Sequence, residues 1–178
     1  TSLTSINIPE AVTSIGTYAF SNCDALVNID LPDSLVSIGD YTFSNCDALE
    51  SVEIGKGVTK IYSCAFNGCA SFCSYTVSEN NMNYSADEHG VLFNKDKTVL
   101  VDYPQGKTET NYVIPDSVIS IGMKSFENCS SLTIITLPFV GENADGSGNG
   151  NFYSIFGESV ESIPRKLKKV VVTGGTSI

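Results

Sequence analysis

A thirteen-residue run, SIGTYAFSNCDAL at 14–26, returns 23 residues later as SIGDYTFSNCDAL at 37–49, altered only where Thr17 becomes Asp40 and Ala19 becomes Thr42. A fixed period constrains a chain more than its composition does. One such unit cannot bury its own apolar face, but stacked copies bury it against one another. Three units of 23 residues follow in succession: LTSINIPEAVTSIGTYAFSNCDA (3–25), LVNIDLPDSLVSIGDYTFSNCDA (26–48) and LESVEIGKGVTKIYSCAFNGCAS (49–71). A fourth unit spans 72–131, which is 60 residues, or 23 plus an insertion of 37 placed at about 78–111. A fifth spans 132–166 with an interruption at about 139–159, and a partial sixth opens with LKKVVV and covers 167–178. The whole of 1–178 is therefore expected to form a single solenoid.

The unit reads L-x-x-I-x-I-P-x-x-V-x-x-I-G-x-x-A-F-x-x-C-x-x. Alternation at Ile6, Asn7 and Ile8 predicts a short strand. Pro9 ends it, because proline has no N–H to give a ladder. A second extended piece is expected over 12–15, and Gly16 then turns the chain. Ala19, Phe20 and Cys23 have the spacing of one inward-facing helical turn. Phe20, Phe43, Phe66 and Phe126 are expected to form one ring ladder.

This pattern resembles the BspA-like, treponemal-type leucine-rich repeats. The resemblance covers nearly the whole chain and rests on Leu, Ile, Pro, Gly, Phe and Cys recurring together at one period. The stretch GVLFNKDKTVLVDYP at 90–104 is also similar to an insertion known within that family. The resemblance implies a right-handed leucine-rich-repeat superhelix with short parallel strands, short helical turns and a curved sheet. It further implies a place on surface or secreted proteins of host-associated bacteria and some protozoa, and a role in adhesion or protein recognition. It carries no catalytic residues.

Departures from the pattern matter too. The third unit has Gly55 where Pro9 and Pro32 stand, and Cys64 where Tyr18 and Tyr41 stand. The fifth lacks the A-F-x-x-C segment, so its coil is expected to be flatter. Both ends break inside a unit without a polar cap, which suggests a piece of a longer protein or end coils buried in a neighbour, including end-to-end self-association. Four cysteines, Cys23, Cys46, Cys69 and Cys129, share one repeat position. They read as a row of small buried thiols rather than a disulfide framework. Cys64 and Cys73 fall off the pattern, and a bridge between them is an open alternative.

Of 178 residues 42% are hydrophobic and the net charge is −10, which fits a folded chain and lacks the basic footprint of a nucleic-acid binder. The one basic cluster, RKLKK at 165–169, reads as a solvated edge. No apolar run is long enough to span a membrane. VLFN and TVLVDY flank the polar NKDK and predict a β-hairpin, either packed on the solenoid flank or presented as a binding finger. Asp102, Tyr103 and Tyr112 are candidates for polar contacts at its base. The loop ENADGSGNGN at 142–151 alternates oxygen-bearing Asn143, Asp145, Ser147, Asn149 and Asn151. A calcium loop does so too, yet Ser154 stands where its bidentate glutamate belongs, so a Gly/Asn loop is the preferred reading and no metal or other cofactor is expected. His89, in SADEHG beside Asp87 and Glu88, is the sole histidine. No nucleophile elbow, H-E-x-x-H or phosphate-binding glycine motif accompanies it, so the chain reads as no enzyme. Asn128 heads an N-x-S sequence but shares the turn of Asn22 and Asn45, expected to be buried.

What remains is surface. Alternation sends Ser5, Asn7, Asn28, Asp30, Ser51, Glu53, Ser74, Thr76 and Thr136 outward on the strands, along with Ile134, Lys169 and Val171. This strip is the candidate ligand-binding face. It has no aromatic anchors, which tight protein interfaces usually use. Phe152, Tyr153 and Phe156 in FYSIF are the candidate loop contacts; alternatively they cover the core where the fifth turn is missing. The expected function is a non-catalytic protein-binding or adhesion module of a bacterial cell-surface or secreted protein. Its partner would be a protein, such as a host extracellular protein, or a glycan. The competing reading is a passive spacer within a larger surface protein.

Overall fold

The computed structural model describes residues 2–148 and 150–174. Each of the first three units contributes two short strands: β1 (Ser5–Asn7) and β2 (Ser14–Ile15), β3 (Asn28–Asp30) and β4 (Ser37–Ile38), β5 (Ser51–Ile54) and β6 (Lys60–Ile61). The long fourth unit contributes β7 (Ser74–Val77), β8 (Tyr84–Ala86), β9 (Leu92–Asn94), β10 (Val99–Asp102), β11 (Asn111–Val113) and β12 (Ser120–Ile121). The last units give β13 (Ile134–Leu137) and β14 (Lys169–Val172).

Pairing follows the repeat. Ser5 lies opposite Asn28 and Asn7 opposite Asp30 in the parallel pair β1–β3; Ser51 lies opposite Ser74 in β5–β7. Farther along, Asn111, Ile134 and Lys169 align across β11–β13–β14. The second strands stack separately, with Ser14, Ser37 and Lys60 in register across β2–β4–β6. The chain is thus a stacked parallel-strand solenoid of about six turns.

The segment after the second strand is not a helical turn. Tyr18 and Asn22 both have positive φ, 58° and 60°, as do Tyr41 and Asn45, Cys64 and Gly68, and Lys124 and Asn128. Two left-handed residues four apart stop a helix from propagating. The freed N–H groups bond sideways: Phe20 to the Thr42 carbonyl at 2.9 Å and Asn22 to the Ser44 carbonyl at 2.8 Å. Asparagine recurs there because it tolerates this backbone. Asn22, Asn45 and Asn128 are exposed, not buried. At Gly68 an added Cβ would sit 2.0 Å from Asn45 Oδ1, so a side chain in the third copy of that position would have to displace the Asn45 amide.

The ring ladder is shorter than expected. Phe20, Phe43 and Phe66 stack at 5.5 and 5.2 Å. Phe66 then meets Phe72 at 5.3 Å, and Phe126 stacks instead on Tyr103 at 5.0 Å. The reason lies in the long unit. β10 pairs in parallel with β12, Val99 opposite Ser120, so Tyr103 reaches a ring level of its own beneath Phe126.

The hairpin is present: β9 and β10 are antiparallel, with β8 on the far side of β9. It is neither finger nor flank. Val91, Leu92 and Phe93 are all fully buried. Leu92 packs into the core formed by the first units, while Val91 and Phe93 pack into the core of the later ones. Strand alternation makes β9 a wall with an apolar residue on each face. Asn94 closes its turn, its Oδ1 accepting from the N–H groups of Thr98 and Val99 at 2.9 and 2.8 Å. Buried Asn81 holds its entrance: Nδ2 donates to the carbonyls of Gly55 and Val58, and Oδ1 accepts from the N–H groups of Asn83 and Tyr84.

All six cysteines are unpaired. Cys46 and Cys69 point their thiols at the carbonyls of Phe20 and Phe43, at 3.2 and 3.0 Å. Each thiol thus bonds the coil below, which is what the shared repeat position provides. Exposed Cys73 does the same toward Glu50 O at 3.3 Å.

Candidate binding surface

The strand alternation brings the polar strip to one face. Ser5, Asn7, Asn28, Asp30, Ser51, Glu53 and Thr76 are exposed; Ser74 and Thr136 are half-buried. Between them Ile29, Val52, Tyr75 and Ile135 point into the core. The side chains of Asp30 and Glu53 have no hydrogen-bond or ion-pair partner among the described residues, so their carboxylates face solvent.

Two strip residues escape a reading by unit. Asn111 and Val113 lie opposite Ile134 and Thr136 on β11, and Val113 is 65% exposed. The signal was the sequence NYVIP at 111–115, which repeats the strand-proline pattern of SINIP at 5–9. Assigning 78–111 to an insertion hid it. The strip is also interrupted between β7 and β11. There the Tyr75 N–H donates to the Gly90 carbonyl at 2.9 Å, and buried Lys107 donates from Nζ to the His89 carbonyl at 2.6 Å.

The aromatic loop divides. Phe152–Ile155 is a short 3-10 turn. Phe156 is fully buried, 6.0 Å from Phe126, and the Ile155 carbonyl accepts the Phe126 N–H at 2.8 Å. It fills the ring level that the fifth unit lacks and is not available as a contact residue. Phe152 and Tyr153 stay half-buried at the surface.

His89 is exposed, and Asp87 does not serve it as a base partner. Asp87 Oδ1 accepts from the backbone N–H groups of His89 and Val91 at 2.9 and 2.8 Å, and Oδ2 accepts from Tyr112 OH at 2.8 Å. That carboxylate closes a turn. In the loop at 142–151, Asp145 Oδ1 accepts from Ser147 N–H and Oγ at 2.8 and 2.6 Å, and Asn143 Nδ2 donates to the Ser147 carbonyl. The polar groups of Asn143, Asp145 and Ser147 bond one another; Asn149 lies outside the described residues. Among the described residues no group of three His, Cys, Asp or Glu side chains is arranged to hold a metal, and no helix is long and apolar enough to cross a membrane.

The model of the BspA type leucine rich repeat region matches residues 1–89 and 105–170, in six copies. The chain belongs to the BspA-type leucine-rich repeat family. Solved structures agree. A leucine-rich repeat protein from Eubacterium ventriosum is 25% identical over 76% of this chain and 48% of its own, with a TM-score of 0.62. The pneumococcal vaccine antigen PcpA is 25% identical over 75% and 44%, at 0.58. The T. pallidum leucine rich repeat protein covers 94% and 73% at 24% identity and 0.52, a likeness of fold. No curated protein matches the chain. This BspA-type chain spans about half the length of the first two structures.

Proposed function

We propose that this chain is a non-catalytic recognition module of a bacterial surface or secreted protein, and that it binds a protein or glycan partner along the strand strip. One observation carries the reading: β1, β3, β5 and β7 present outward-facing polar side chains on one face, exposed except for half-buried Ser74, with open carboxylates at Asp30 and Glu53. Repeat solenoids use such extended faces for binding. The likeness to a pneumococcal vaccine antigen supports a surface location. Contacts of this kind are individually weak and gain strength by repetition along a longer array.

The spacer reading is favoured by a different observation, the absence of aromatic side chains among the exposed strip residues. One experiment separates the two. The protein and an Asp30→Lys/Glu53→Lys variant are tested by interferometry against immobilised matrix proteins and glycans. Saturable binding that the variant loses supports the strip. Absence of binding across the panel, with both proteins folded, supports the spacer.

A further inference from the structure

The long unit leaves one layer of the stack incomplete, and a cavity lies there. In the first three units the chain leaves the second strand and makes the full turn through Phe and Cys. In the long unit it leaves β10 at Asp102 and passes through Tyr103, Pro104 and Gln105 to Gly106, whose N–H donates to the Phe72 carbonyl at 2.7 Å. No complete turn is laid down between the levels of Cys64 and Lys124. A cavity of about 200 Å³ opens between them, with Cys64 and Asn67 on one wall and Met123 and Glu127 on the other. Asn67 Nδ2 donates to Glu127 Oε2 at 2.7 Å and so ties the two walls together.

Phe72, Tyr75 and Asp102 are also among its lining residues. The Tyr75 hydroxyl donates to Asp102 Oδ2 at 2.6 Å. Among the described residues no lysine, arginine or histidine pairs with Asp102. Lys124, the basic residue lining the cavity, is committed to Glu158 at 2.7 Å. Phe66 and Phe72 are stacked at 5.3 Å, with the Tyr75 ring edge-on to both. Asp102 is thus a half-buried carboxyl with one side-chain hydrogen-bond donor and no basic partner, set beside aromatic rings.

We propose that this cavity receives one cationic side chain, lysine or arginine, from a partner polypeptide lying along the turn face. The volume is below the roughly 300 Å³ at which ordinary small-molecule pockets begin, and suits a single long side chain. The carboxylate supplies a charge-assisted hydrogen bond, and the apolar and aromatic walls supply contact for the methylenes of the side chain. A cation also offsets the desolvation that burial imposes on Asp102. The net charge of −10 draws basic segments toward the chain. A second groove, lined by Tyr41, Tyr153 and Glu158, shares Cys64, Met123 and Lys124 with the cavity and gives the flanking residues of such a segment somewhere to lie. The site stands apart from the strand strip and does not depend on it.

The test titrates isotope-labelled protein with acetyl-Gly-Arg-Gly-amide and its uncharged citrulline counterpart at about pH 8, where Asp102 is ionised. Saturable amide shifts at Cys64, Tyr103, Gln105 and Met123 are expected with arginine. They should weaken about tenfold with citrulline, and equally with Asp102→Asn, which keeps an acceptor for Tyr75. A second arm is independent of that variant: in a Cys73→Ser background the arginine peptide should slow alkylation of Cys64. Equal binding of the two peptides overturns the proposal. So do shifts that map to Asp30 and Glu53 instead, or no saturation at the cavity by about 20 mM peptide.

Discussion

Asp102 and Asn81 show how single polar side chains decide the stability of an otherwise apolar stack. Burial pushes the Asp102 carboxyl up to about 7, against which the Tyr75 hydrogen bond pulls down. The folded state therefore holds this proton at pH values where the unfolded chain, with its ordinary carboxyl near 3.8, has lost it. Stability from this group is full below about pH 4, falls as pH rises toward 7 and is flat above, a loss on the order of 2–4 kcal/mol. Urea unfolding of wild type and Asp102→Asn across this range should show the difference between them growing toward pH 7 in favour of the asparagine. A pH-independent difference removes this account. Asn81 acts in the opposite sense, because all its bonds are made. Asn81→Leu removes four hydrogen bonds, leaving the Gly55 carbonyl only the Val58 N–H at 3.3 Å, and should cost roughly 2–4 kcal/mol by urea unfolding.

At the scale of elements, the turn segment and the hairpin carry the lesson. The A-F-x-x-C spacing was read as a helical turn, and its burial pattern at Phe43 and Cys46 agrees with that. The backbone does not, because Tyr41 and Asn45 are left-handed and the N–H groups bond the next coil. A far-UV circular dichroism spectrum should therefore lack the double minimum of helices, and its appearance would contradict the turn geometry. The ring ladder gives a graded prediction. Phe43 is fully buried between two rings and Phe43→Ala should cost roughly 3–5 kcal/mol, whereas half-buried Phe20, with a ring on one side, should cost clearly less on truncation. The hairpin was legible as a hairpin from NKDK and its flanking apolar runs. Its placement between two cores was not, since alternation in VLF states that both faces are apolar without naming what each face meets.

For the whole molecule, the division into two cores sets the cooperativity. Ile8 through Tyr75 form one cluster with Leu92, and Val91 through Phe156 form the other. They are joined across β9, by the Tyr75–Asp102 bond, and by Asn67 to Glu127 and the Gly68 N–H to Gln105 Oε1. Stability in such arrays is a sum of units and nearest-neighbour interfaces. Hydrogen exchange of Phe43→Ala should then show lost protection in the first cluster, with β11, β13 and β14 retaining more. Uniform loss across both clusters would mean that β9 couples them into one cooperative unit.

The repeat by itself determined the stacking. A 23-residue period with Leu, Ile, Phe and Cys at fixed places leaves one way to bury every apolar position, and it puts Ser5, Asn7, Asn28, Asp30, Ser51 and Glu53 outside by strand alternation alone. The tertiary structure decided what happens where the period fails. It set Tyr103 under Phe126, buried Phe156 in the vacant ring level, returned Asn111 and Val113 to the strip and left the missing turn as a cavity beside Asp102. A period predicts a contact only when the residue one period away is its neighbour. At 72–131 the spatial neighbour lies at another sequence distance, and only packing supplies that.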